Sequence, residues 1–399
     1  MNIRIMMAEL RKIWRPGMVL LLCFLGAIYY YLFMHFDIWY FKSEMFREAV
    51  MELATGWIDT YGTTLEPEER LDLDRQNAAE ITLFNQRIAE ISEAQAAGIT
   101  DYTSFMAFHE KSRSEAMQQQ GKVDMDAEAL IWHIIGRTNY PRLQGLQLTM
   151  ERYDVQQSAD YYTDHGIEVT DSARRKARIQ TLSTSPWRNS ILPQEVLENT
   201  WSYGGNLLAW MVLSCLLLVS PLLVRDRMAD VRQLQWTTHV GRRVFHIQLA
   251  AVLSSACILS AVNLLVFGGI YLTNHTLIFR DCRMFSFLCT LLPWVDWTYG
   301  QYFIVLVLML FGISIAAAGF AFLLAQYSSH YVGMLLKLLP LFAALRLLGG
   351  YLFQTPFFFR AGVDKLHEIP GLEGWIAVGL LVMALGLCLF AARRQRQKE

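Results

Sequence analysis

Apolar and polar positions alternate along the chain in long blocks. Six apolar stretches, at residues 17–36, 204–224, 245–272, 300–326, 331–351 and 372–391, are each near or above the roughly 20 residues a bilayer-crossing helix needs. Residues 37–203, between the first two, are far too long for a connecting loop. Their apolar positions recur at helical spacing: Ile81, Phe84, Ile88 and Ile91 form one stripe, and Phe46, Val50, Leu53 and Trp57 another. Pro67 followed by Glu68 and Glu69 suits a helix start, where carboxylates meet the positive end of the dipole. Thr170-Asp171 offers a cap for a further helix over Ser172 to Leu182. The pattern predicts an all-α membrane protein with six transmembrane helices and a mainly helical extracytoplasmic domain inserted between helices 1 and 2. Its parts are residues 1–36 (a surface helix and the first span), 37–203 (the inserted domain) and 204–399 (five spans).

The first fifteen residues read as an amphipathic helix on the membrane surface, with Ile3, Met6, Met7, Leu10 and Trp14 toward lipid. The run that follows ends in Tyr29-Tyr30-Tyr31-Leu32-Phe33 rather than a small-residue cleavage site, so it reads as a retained anchor.

Charge orients these elements. The chain is 54% hydrophobic with a formal net charge of -1, averages that resemble a slightly greasy soluble protein. Divided, residues 37–200 hold 27 acidic against 16 basic side chains, and the flanks hold 9 against 19. A uniformly soluble enzyme does not fit the flanks, a disordered chain does not fit the hydrophobicity, and the basic residues form no continuous patch for nucleic acid. Arg4, Arg11, Lys12 and Arg15, opposed only by Glu9, precede the first span and place the N-terminus in the cytoplasm. The loop Arg225 to Arg243, five basic residues against two acidic, and the tail Arg393, Arg394, Arg396 and Lys398 agree. The expectation is a multi-pass cell-membrane protein with both termini cytoplasmic and its acidic insert outside. That acidity suits a solvated surface, or one that steers a cationic peptide or antibiotic.

None of the six cysteines lies between residues 37 and 200, so the insert folds without disulfides. Cys23, Cys215, Cys257 and Cys388 fall in apolar runs and read as small core residues. Cys282 and Cys289, if helical, stand about 10 Å apart by the helical rise, too far to bridge within one helix.

Catalytic patterns are incomplete. No Walker A sequence occurs, so ATP chemistry belongs to another polypeptide. His109-Glu110 and His367-Glu368 lack the second His of a zinc protease, Arg113 and Gly371 standing in its place. Gly312-Ile313-Ser314-Ile315-Ala316 falls one residue short of a nucleophile elbow inside an apolar helix. Gly312, Ser314, Ala316, Ala317, Ala318 and Gly319 are better explained by close helix packing. Lys337 and Arg346 carry charge into the fifth span. Nine residues apart, they fall on opposite faces of an ideal helix unless Pro340 kinks it. Each lies within snorkelling reach of an interface, and Arg346, in the outer half, is the stronger pathway residue.

The loop between the second and third spans, residues 225–243, resembles the signature loop of the ABC-2 type family of ABC transporter permeases. There an acidic residue, a short helix, a Ser/Thr pair and Gly-Arg lead into the third span. Asp226 matches the acidic position, Thr237-Thr238 the pair and Gly241-Arg242 the Gly-Arg. Asp230 stands where the family often has Gly, and Gln248 where Lys is common. The resemblance covers the membrane part. It implies a coupling helix seated on a separate ATPase that binds ATP and Mg, with Leu234 and Trp236 as apolar docking contacts. It also implies a second permease subunit, identical or paralogous, to complete the pathway, and export of a peptide, antibiotic or lipid-like substrate. The chain itself is then no enzyme and holds no cofactor. Pro356, Phe357-Phe358-Phe359 and Pro370, in the outer segment Tyr351 to Gly371, suit a re-entrant or interfacial element where an apolar gate could sit, or ordinary interface aromatics. The alternative is a membrane-anchored sensor or scaffold with a ligand-binding outer domain.

Overall fold

A computed structural model describes residues 3–118, 124–157, 173–229, 244–354, 358–359 and 369–397. They divide into two compact units: Met1–Phe41 with Glu195–Arg280 and Leu291–Glu399, and Lys42–Gln194 with Asp281–Thr290.

Among the described residues six helices are long and apolar enough to cross a membrane, the signature of a multi-pass membrane protein. They are span 1 (Pro16–Ser43), span 2 (Gln194–Met228), span 3 (Val244–Asn274), span 4 (Tyr299–Gln326), span 5 (Tyr331–Phe353) and span 6 (Leu372–Arg394). All six apolar stretches of the sequence form them.

Span 2 is the core of the membrane unit. Its most apolar window is 78% buried, against 17% for span 1, so its side chains meet protein where those of span 1 face outward. Spans 1 and 3 each widen through a π turn, at Tyr30–Met34 and Leu264–Gly268. Such a turn disturbs the regular ladder of backbone hydrogen bonds. Span 2 reaches into both: Asn206 Nδ2 donates to the Phe33 carbonyl at 2.9 Å, and Tyr203 Oη to the Phe267 carbonyl at 2.6 Å. Lower down, Trp210 Nε1 donates to Asn263 Oδ1 at 3.1 Å, and Asn263 Nδ2 to Ser214 Oγ at 3.0 Å. In a medium without water these polar groups need internal partners, and here they hold helices together.

Spans 4 and 6 pack through small residues. A β-carbon added at Gly319 would lie 3.3 Å from Ala384 Cβ and 3.7 Å from Cys388 Sγ. Ser314 donates back to the Leu310 carbonyl at 2.7 Å, an ordinary use of serine within a helix. The N-terminal helix Ile3–Ile13 packs on span 3. Trp14, expected to face lipid, donates its indole N–H to Ser255 Oγ of span 3 at 3.0 Å. A two-residue ladder pairs Leu292–Pro293 with Phe358–Phe359, antiparallel.

The polar unit is helical as well. Its main helices are Met45–Tyr61, Pro67–Ile88, Tyr102–Gln118, Met125–Arg137, Tyr140–Gln157 and Ala173–Ser183. The predicted stripe is the core: Phe84, Ile88 and Ile91 are buried, Ile81 packs against them, and Phe84, Phe105 and Tyr140 form a ring cluster with centroids 5.0–6.3 Å apart. Pro67 opens its helix, and Glu69 Oε2 accepts the Glu66 N–H at 2.7 Å. Arg70 grips both oxygens of Asp154, at 2.9 and 2.6 Å. The excursion Asp281–Thr290 is pinned through Ser286, whose Oγ donates to the Ser190 carbonyl at 2.6 Å and accepts the Leu192 N–H at 3.1 Å. Cys282 and Cys289 lie in this irregular stretch as buried thiols outside any disulfide, and burial pushes the Cys282 thiol up to about 12, away from thiolate reactivity.

Candidate functional site

The loop singled out by sequence begins within span 2. A short helix, Pro221–Met228, continues that span past Val219, with Pro221 at its first position, where a missing N–H costs nothing. Asp226 sits in this helix, 7% exposed. Its Oδ2 and Oδ1 lie 3.2 and 3.4 Å from Lys12 Nζ of the N-terminal helix, and Gln248 Nε2 at the start of span 3 donates to Oδ2 at 3.0 Å. The same lysine holds Glu9 Oε1 at 2.7 Å, and Gln248 reaches Glu9 Oε2 at 3.4 Å. Glu9 is 3% exposed.

Two buried carboxylates thus share one ammonium and one amide. A buried carboxylate without such partners is strongly unfavourable, so the four side chains stand or fall together. The N-terminal helix, the base of the loop and the entry to span 3 are tied at this point. Arg225 adds to the tie, its guanidinium donating to the Lys12 carbonyl at 3.4 Å from both terminal nitrogens.

One residue further, the same short helix closes the end of span 4. Arg227 donates to the Ser328 carbonyl at 2.7 Å and to the Gln326 carbonyl. Lys337 of span 5 donates to the Tyr327 carbonyl at 2.8 Å and to Ser328 Oγ at 3.2 Å. Orphaned carbonyls and the negative end of the dipole make a helix C-terminus a good seat for cations.

Of the predicted coupling residues, Asp226 is buried and bonded to Lys12 and Gln248. Leu234, Trp236, Thr237, Thr238, Gly241 and Arg242 lie outside the described residues. So does Phe357; Phe358 and Phe359 form the second strand of the small ladder. Arg346 is exposed on span 5, its Nη1 within 3.3 Å of where a β-carbon on Gly350 would stand. It leans toward the Gly350 end, while Lys337 reaches the opposite end. The two charges are not brought together.

Sequence reasoning missed Glu9, Lys12 and Gln248. The lone acidic residue among four basic ones before span 1 was a usable signal, since it sits one helical turn before Lys12. Gln248, a departure from the common Lys, turns out to satisfy both carboxylates while Lys12 supplies the charge. Among the described residues no group of three or more His, Cys, Asp or Glu could hold a metal ion. What this cluster can do is mechanical: it fixes the base of a loop to two other helices.

No known family profile, curated protein or solved structure matches this chain.

Proposed function

We propose that the chain is the membrane-spanning subunit of an ABC-2 type transporter, driven by a separate ATPase and exporting a peptide, antibiotic or lipid-like substrate. The observation that carries this reading is the loop 225–243, with Asp226, Thr237-Thr238 and Gly241-Arg242 in family order between spans 2 and 3. The anchored base supports it. A helix seated on an ATPase transmits movement only if its root is rigid, and Asp226 is tied to the N-terminal helix through Lys12 and to span 3 through Gln248.

In this reading the basic loop and tail face the cytoplasm, the acidic insert lies outside the cell membrane, and a second permease subunit completes the pathway. ATP and Mg bind the partner ATPase. Co-expression with the ABC ATPases of the same genome tests it. The complex should copurify, and replacing Gly241 and Arg242 with Ala and Glu should break it or uncouple ATP hydrolysis from transport. Absence of any ATPase partner, or an intact and coupled complex after that replacement, overturns it.

A second reading, a membrane-anchored sensor, draws on a cavity of about 620 Å³ in the polar unit, lined by His109, Arg113, Glu128, Trp132, Tyr140 and Gln144 among others. Its size and mixed lining are those of a ligand site. A neighbouring kinase gene and no ATPase would favour it.

A further inference from the structure

A second cavity, of about 310 Å³, lies inside the membrane unit between spans 2, 3 and 4. It exists because the chain withholds side chains there. Gly268 ends the π turn of span 3 and Gly269 follows it, and a β-carbon built on either meets nothing within 4 Å. Leu207, Leu264, Phe303 and Leu310 are among the apolar residues of the remaining wall.

The lining identifies the occupant. No charged residue contributes to it, and the hydroxyls at its edge are engaged: Tyr203 with the Phe267 carbonyl, and Thr200 with the Val196 carbonyl at 2.6 Å and the Tyr271 and Tyr299 hydroxyls at 2.8 and 2.9 Å. Water needs two to four polar partners, which such a wall does not offer. A headgroup or a peptide backbone would likewise find no donors. Leu265 and Leu272 on the rim are 76% and 44% exposed, so the mouth opens on the surface that spans 3 and 4 turn toward lipid. At that depth the surrounding medium is hydrocarbon.

All three walls come from the same ends of their helices. The lining residues fall within about 20 Å, by the helical rise, of Gln194, Asn274 and Tyr299, at the end opposite the Asp226 cluster. We propose that this pocket binds the acyl chain of a lipid from the leaflet on that side, the outer one in the orientation given above. The inference rests on the helices crossing a bilayer and stands apart from the ATPase reading.

The test is photolabelling of the full-length chain in phosphatidylcholine vesicles that contain a trace of phosphatidylcholine with a diazirine near the end of one acyl chain. Peptides spanning 264–272 and 303–310 should carry label well above the exposed face of span 6 at Val378 and Val382. Gly269→Leu, which places an isobutyl group in open space, should remove that excess and leave the span 6 label unchanged. Label spread in proportion to exposed surface, or an excess that survives Gly269→Leu, overturns the proposal. Should that variant fail to insert, Gly268→Leu and the wild-type peptide map decide the same question.

Discussion

Glu9 and Asp226 converge on one ammonium, so the cluster's response to mutation is set by what each change leaves behind. Lys12→Met removes the ammonium bonded to two buried carboxylates, whereas Asp226→Asn keeps the shape and removes one charge. A hydrogen bond to a charged group contributes on the order of 2 kcal/mol, and that is the expected cost of Lys12→Met in thermal unfolding of the purified protein. Adding Asp226→Asn to Lys12→Met should recover part of the loss, a non-additivity that a double-mutant cycle measures. Strictly additive costs would show that the two side chains do not interact. In the polar unit, Tyr61 donates to Asp72 Oδ2 at 2.5 Å and Gln76 joins them. Burial, and then the Asp72 bond, push the Tyr61 hydroxyl up to about 12, while the Tyr61 bond first of all lowers the Asp72 carboxyl. A depressed carboxyl contributes stability above its ordinary value near 4, lost as pH falls through the folded value; a raised phenol contributes below about 10, lost as pH rises through the folded value. The pair therefore contributes fully between about pH 4 and 10. Asp72→Asn should lower the tyrosinate titration of Tyr61, read by ultraviolet absorbance against Tyr61→Phe, and leave stability less dependent on acid.

Gly319 shows how an element's packing follows from single positions. With Ala384 Cβ 3.3 Å from its missing β-carbon, spans 4 and 6 approach closely because neither presents bulk. Gly319→Leu should force them apart at a cost of about 1–3 kcal/mol, read as a lower unfolding temperature; Gly312→Ala, whose β-carbon would meet only Leu381 at 4.0 Å, should be nearly neutral. This stripe was legible because small residues at helical spacing have one main use in a membrane. The six spans and the Phe84 core were legible for the same reason: burial imposes a period on the residues that undergo it. Other features depend on contacts distant in sequence and leave no period. Trp14 faces inward because Ser255 meets it 241 residues later. The excursion 281–290 belongs with the polar unit through Ser190 and Leu192, and nothing local in its composition announces that. Phe358 and Phe359 form a strand because Leu292 and Pro293 are their partners. Of the cluster at the loop base, Asp226 was visible through a family pattern, while Lys12 and Gln248 became visible only where three elements meet.

At the scale of the whole chain, near-neutrality conceals a division: residues 37–200 hold an excess of 11 acidic side chains, and the flanks an excess of 10 basic ones. A random distribution of charge has no reason to follow the boundaries of the apolar runs as this one does. The positive-inside rule supplies a reason, since Lys and Arg near the ends of spans are retained in the cytoplasm. Six spans, an even number, then return the C-terminal tail to the side on which the N-terminus began, and the loop before span 3 must share that side. These requirements can be tested together, because residues 37–200 contain no cysteine. Met117→Cys, at a position 69% exposed in the polar unit, places a single accessible thiol there. In intact cells it should react with a membrane-impermeant maleimide, identified on its own peptide, whereas a cysteine replacing exposed Arg394 at the end of span 6 should react only after permeabilisation. The opposite pattern would invert the orientation, moving the Asp226 cluster and its loop outside the cell, where no ATPase could reach them. Labelling of both positions in intact cells would require an even number of crossings between them, and one of spans 2 to 6 would then have to lie along the membrane instead of through it. Span 5 is the segment on which that outcome would fall. Its mean hydropathy of 1.8 is the lowest of the six, and it alone carries two basic residues in its interior. The opposed reach of Lys337 and Arg346 toward its two ends is the arrangement a crossing helix needs to keep both charges in water, and so both thiols are expected to report opposite sides.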